Sequence, residues 1–132
     1  MGDIEGHFRI LEKSFNTACA KNCDFFLTPE LSLTGYPPQD LLLRKDFIKK
    51  IEKYKKKLIN LTKKRETIFS LSVPVYQDGQ LVNSLLLIKS GKILYTYEKM
   101  NLPNYGVFDE KRYFNSKGKK KALDFKKNKI DF

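Results

Sequence analysis

Apolar positions in the first part of the chain recur at steps of four and three: Ile4, Phe8, Leu11, Phe15 and Ala18. That rhythm puts one apolar stripe on a helix that ends near Asn22. Residues 24–28 form a short apolar run suited to a buried strand, closed by Pro29. A loop follows through Pro38, and Gln39-Asp40 can start a short helix over Leu41-Leu42-Leu43. A second long helix is expected from Asp46 as N-cap, with Phe47, Ile51, Tyr54, Leu58 and Leu61 on its stripe and lysines on its other faces. Two helices with the same stripe are what covers a sheet, so both stripes read as core.

The pattern then changes period. Residues 67–73 predict a strand stopped by Pro74. Asp78-Gly79 between Val75-Tyr76 and Leu81-Val82 is a hairpin signal. Residues 81–89 and 92–97 predict two more strands joined at Ser90-Gly91, followed by an aperiodic loop over 99–112. Leu123-Asp124-Phe125 and Ile130-Asp131-Phe132 flank Lys126-Lys127-Asn128 as a further hairpin. The order helix, strand, helix, strand, strand, strand predicts an α/β layered fold.

Composition narrows the classes. A length of 132 residues is one domain or part of one, and 41% hydrophobic content makes it globular rather than disordered. The formal charge of +11 raises the question of an anionic partner. Of the 26 basic residues, 22 are lysines spread along the chain, whereas base and phosphate readout favours arginine. A solvated lysine surface is the preferred reading, with no nucleic-acid partner. Cys19 and Cys23 make no disulfide framework, and with His7 as the lone histidine they make a poor zinc site. The acidic start, Met1 to Gly6, lacks the apolar core of a signal peptide, and no apolar run reaches membrane-spanning length. The expectation is a soluble cytoplasmic protein with no metal and no membrane partner.

Chemistry concentrates in two stretches. The first is Pro29-Glu30-Leu31-Ser32-Leu33-Thr34-Gly35-Tyr36-Pro37-Pro38, in which Glu30 follows a strand, where α/β sheets place their sites. Shielded by Phe25, Phe26, Leu31 and Tyr36, that carboxylate could act as a base. The second begins at Lys99, also after a strand, where an ammonium can hold an oxyanion. Taken singly, Glu30 reads as a loop acid and Lys99 as one surface lysine among many.

Together the two stretches resemble the glutaminase domain of glutamine-dependent NAD synthetases, within the nitrilase superfamily of carbon-nitrogen hydrolases. The resemblance rests on Gly2-Asp3-Ile4-Glu5-Gly6, the Glu30 stretch with Asp40-Leu41-Leu42-Leu43-Arg44, Asn83-Ser84, and Lys99 with the run from Leu102 to Phe114. It covers nearly the whole chain. It implies an αββα sandwich and a Glu-Lys-Cys triad, with Glu30 as general base, Lys99 as catalytic lysine and Tyr105 helping to bind glutamine. Against that pattern the chain is expected to be a partial glutaminase domain over 1–132, lacking the sandwich's first strand and its C-terminal half. The family's cysteine would lie a few residues past the strand begun at Lys129-Ile130-Asp131-Phe132. Cys19 and Cys23 read instead as small buried residues. No glycine-rich phosphate loop occurs, so ATP and deamido-NAD would belong to a separate synthetase domain and this chain would carry no cofactor. The chain alone is expected to be inactive, with a complementing C-terminal polypeptide as its possible partner. Three alternatives compete: a non-catalytic subunit, another nitrilase-type amidase, and a small basic nucleic-acid binder.

Overall fold

The computed structural model describes residues 1–116 and, as backbone, the strands at 122–125 and 128–131. Helix α1 spans Ile4–Ala20, capped by the Asp3 carboxylate, which accepts from the Gly6 N–H at 2.9 Å. Strand β1 is Phe25–Leu27, and a 3-10 turn covers Gln39–Leu43. Helix α2 runs Lys45–Leu61. Strands β2 (Ile68–Gln77), β3 (Gln80–Lys89) and β4 (Lys92–Glu98) follow. The sheet order is β1-β2-β3-β4, with β1 parallel to β2 and the rest an antiparallel meander. The expected C-terminal hairpin is present as β5 (Ala122–Phe125) against β6 (Asn128–Asp131), so Asn128 belongs to a strand rather than to the turn. Residues 126, 127 and 132 lie outside the described residues.

Both meander turns put a non-glycine residue and then a glycine at positive φ: Asp78 and Gly79 at 50° and 77°, Ser90 and Gly91 at 52° and 77°. That geometry matches the right-handed twist of the strands, and only glycine adopts the second position at no steric cost. The turns fix the register. Phe69 and Leu71 lie opposite Ile88 and Leu86 on one face, while Ser70, Ser72 and Pro74 lie opposite Leu87, Leu85 and Asn83 on the other. A slip of one residue would exchange the faces.

The first face carries the core. Ile4, Leu11 and Phe15 of α1 and Phe47, Ile51 and Leu58 of α2 pack on Phe69, Leu71, Val73, Leu86 and Ile88. Phe15 stacks on Phe69 at 4.9 Å. Each such side chain contributes roughly 1.5–3 kcal/mol when fully buried. Both helical stripes are therefore core, as their spacing implied.

Three expectations need correction. Pro74 does not stop its strand. The Ser72 N–H points towards Thr28, and residue 74 points the same way, beyond the end of β1 at Leu27. The missing donor of Pro74 therefore costs no ladder bond. Arg44, not Asp46, occupies the cap position of α2, and the Asp46 carboxylate instead takes the Arg44 guanidinium at 2.8 Å. Cys19 and Cys23 are half-buried rather than buried.

Candidate active site

The site lies on the face away from the helices, at the ends of β1 and β4. The turn after β1 is held by hydroxyls. The Leu31 N–H donates to Ser72 Oγ at 2.9 Å, Thr28 Oγ1 donates to the Ser70 carbonyl at 2.8 Å, and Ser32 Oγ donates to Thr28 Oγ1 at 3.0 Å. Leu31 sits at φ 49°, pinned where its carbonyl accepts from the N–H groups of Thr34 and Gly35. A non-glycine residue in that region is strained by roughly 1 kcal/mol or more, and the surrounding bonds hold it there. Leu31 itself is fully buried in the core, so the turn leaves Glu30 on the opposite side.

Phe26 and Leu31 do not shield Glu30 as their nearness in sequence suggested. Phe26 packs against Phe15 and Phe69 on the helix side. The carboxylate is held by polar groups. Lys99 Nζ donates to Glu30 Oε1 at 2.6 Å, and Asn83 Nδ2 donates to the same oxygen at 2.7 Å. The pairing of Tyr97 with Leu85 brings Lys99 opposite Asn83, where its N–H donates to the Asn83 carbonyl at 2.8 Å. A cleft of about 250 Å³ opens here between Thr28, Ser72, Leu85 and Tyr97, with Glu30 and Lys99 in its wall.

A second carboxylate completes the cluster. Glu110 Oε1 accepts from Lys99 Nζ at 2.9 Å and from the Tyr36 hydroxyl at 2.9 Å. The Glu110 side chain is only 6% exposed, against 41% for Glu30. An isolated buried carboxylate is costly, so Lys99 is structurally as well as chemically committed. Sequence reasoning assigned no role to Glu110 or Asn83. Both stood inside motifs that were noticed, Asn83-Ser84 and the run from Leu102 to Phe114, but nothing in one dimension says that either faces Lys99. A larger hollow of about 340 Å³ lies between the 36–42 and 107–114 segments, with Glu110 in its wall too.

Tyr105 stands further out. It is 70% exposed, and its ring meets Phe108 edge-on at 5.5 Å. Phe108 in turn lies 6.4 Å from the ring of Tyr36. Tyr105 thus reaches the Glu30–Lys99 pair through two aromatic rings rather than by contact. Cys19 and Cys23 lie ahead of β1 in the chain, whereas Glu30 follows it.

The electrostatics bind the cluster together. Burial pulls the Lys99 ammonium down, but the hydrogen bonds to Glu30 and Glu110 and their charges outweigh it, and the net direction is up. Burial, and then the bond to Glu110, push the Tyr36 phenol well up. Both groups hold their protons more tightly folded than unfolded. The stability this adds is therefore fully present below about pH 10, near the unfolded values, and is lost as pH climbs through the folded ones. The urea midpoint is expected to fall above about pH 10, and less steeply in Tyr36→Phe, which removes one of the two titrations. Parallel declines in the two proteins would contradict the assignment of Tyr36.

Comparison with known proteins matches the carbon-nitrogen hydrolase family to residues 1–130. The chain belongs to that family. Within the carbon-nitrogen hydrolases it is similar to the glutamine-dependent NAD(+) synthetase of Aquifex aeolicus, 37% identical over the whole of this chain and 23% of that protein. The synthetase of Synechocystis sp. is 41% identical over 86% of this chain and 21% of its own length. A solved structure of the Acinetobacter baumannii glutamine-dependent NAD+ synthetase superposes on 99% of this chain and 24% of that one, with 34% identity and a TM-score of 0.90. An amidase from Nesterenkonia sp. shares the fold at a TM-score of 0.84 and 20% identity, covering 98% of this chain and 49% of its own. This chain therefore spans between a fifth and a quarter of each of these three synthetases. The four-stranded sheet with its helices is the nitrilase-like α/β arrangement expected. Among the described residues no helix is long and apolar enough to cross a membrane.

Proposed function

We propose that this chain supplies the acid–base part of a glutamine-hydrolysing site that serves NAD synthesis, with Glu30 as general base and Lys99 as oxyanion donor. The observation that carries the reading is the 2.6 Å contact between them across 69 positions of sequence. The Lys99 ammonium and the Asn83 amide orient the Glu30 carboxylate, which is what a base needs. Lys99 commits two donors to carboxylates and retains a third.

The nucleophile in this proposal is a cysteine thiol from outside these 132 residues. Its proton passes to Glu30, and the thiolate sulfur bonds to the side-chain amide carbon of glutamine. The carbonyl electron pair moves to oxygen, where the Lys99 ammonium stabilises it. The C–N bond then breaks, and the nitrogen leaves as ammonia with the proton held by Glu30. Glu30 next takes a proton from water as that water attacks the thioester, and returns it to the sulfur as the C–S bond breaks and glutamate leaves. Tyr105 is assigned to the substrate-binding rim. The chain itself is assigned no cofactor. ATP and deamido-NAD are placed on a separate synthetase domain that uses the ammonia.

The purified 132-residue chain is expected to release no ammonia from glutamine above the buffer rate. A chimera in which residues 1–130 replace the matching region of the Aquifex aeolicus relative is expected to release it. Turnover by the chain alone that Glu30→Ala abolishes would remove the need for an outside thiol. A folded chimera that leaves glutamine intact would overturn the glutaminase reading.

A further inference from the structure

We infer that Asn83 is a positioning residue that decides which oxygen of Glu30 carries the proton. The inference rests on the glutaminase reading for its catalytic consequence, but its geometric content is independent of it. Asn83 Nδ2 and Lys99 Nζ both donate to Oε1, at 2.7 and 2.6 Å. A carboxylate oxygen has two lone pairs, so those two donors fill Oε1. Oε2 is the oxygen that these two donors leave to the cleft. The proton accepted from a nucleophile or a water therefore goes to Oε2.

Lys99 alone cannot enforce this, because its ammonium rotates and is shared with Glu110 Oε1 at 2.9 Å. Asn83 can. It is 3% exposed within β3. Its carbonyl accepts the Lys99 N–H at 2.8 Å while its amide holds Glu30, so one residue sets the main chain of the lysine and the side chain of the acid together. Asn83 lies opposite Pro74, whose ring carries no N–H. The Asn83 carbonyl is used towards β4, and its side chain stands on the cleft face with Lys99. An aspartate at this place would be the same size but would present an acceptor and a charge to Glu30.

Two measurements test this separately. In the full 132-residue chain, NMR is expected to detect scalar coupling across the hydrogen bond from the Asn83 side-chain nitrogen to the Glu30 carboxyl carbon. It should also find one of the two Asn83 amide protons shifted downfield and slow to exchange. No coupling, with both amide protons exchanging as in a free amide, would overturn the inference whatever the activity. In the chimera described above, Asn83→Asp is expected to lower kcat about tenfold to a hundredfold with KM nearly unchanged, the range of a mispositioned acid–base group. It is also expected to move the acidic limb of the kcat profile to higher pH, because a second carboxylate disfavours ionised Glu30. Asn83→His, which keeps an N–H donor, should restore part of the rate and return the limb towards its original place. An Asn83→Asp chimera with an unmoved acidic limb would make Asn83 a strand residue and nothing more. A wild-type chimera without glutaminase activity overturns the function proposed above and leaves the NMR result to decide the position of Asn83.

Discussion

Replacing Lys99 with alanine is expected to damage activity and stability together. In the active chimera, the loss of an oxyanion donor should lower kcat by about a hundredfold to a thousandfold. The same change leaves Glu110, 6% exposed, with only the Tyr36 hydroxyl as donor to Oε1. Removing one partner of a buried ion pair costs roughly 3 kcal/mol or more, and the surviving hydroxyl keeps the figure at the low end. A double variant, Lys99→Ala with Glu110→Gln, should recover much of the stability and none of the rate. Urea titration checks the first result and ammonia release the second. Full activity in Lys99→Ala would remove the lysine from the mechanism. Normal activity with lost stability would leave it a structural counter-ion of Glu110.

Glu30→Gln is expected to separate the two effects. The glutamine keeps the shape of the side chain and an oxygen for Asn83 and Lys99, but it cannot accept a proton. kcat should fall by about a hundredfold to ten-thousandfold, the range for a general base. Glu30 is 41% exposed, so its ion pair is partly screened and the change in stability should stay within about 1 kcal/mol. The contrast follows from burial alone. Lys99 lies between an exposed and a buried carboxylate, and Glu30 is the exposed one. An unaffected rate would assign the proton transfer to another group, with Glu110 the nearest alternative on Lys99. A stability loss as large as that of Lys99→Ala would mean that Glu30 holds the turn after β1.

Much of the fold was legible because periodicity reports burial directly. The four-three stripes of α1 and α2 became the two helical walls of the core, and Asp78-Gly79 and Ser90-Gly91 became turns because their backbone conformation is nearly unique to such pairs. Errors fell where a local rule met a tertiary exception. Pro74 lies inside β2 because β1 has already ended on the side where its donor is missing. Asp46 lost the cap position because Arg44 already adopts extended backbone there. Phe26 and Leu31 suggested an apolar shield for Glu30 only because they are its neighbours in sequence. The turn sends Phe26 and Leu31 to one face and Glu30 to the other.

By itself the sequence determined the elements, the family and the two residues that meet at 2.6 Å, because each is recorded in short motifs or in a repeating pattern. It did not determine the company that Glu30 and Lys99 keep. Glu110 joins them from 11 positions beyond Lys99 and Asn83 from 53 positions beyond Glu30. Tyr36 reaches Glu110 across 74. These contacts depend on strand register and on how the 99–114 segment folds back over the sheet. The turns set the register beside them, but the β3–β4 pairing shifts again between Leu87 and Ile88 before it reaches Lys99, and no turn signal records that shift. The tertiary structure therefore decided that Lys99 lies between two carboxylates of unequal burial, and that both Asn83 and Lys99 donate to the same oxygen of Glu30.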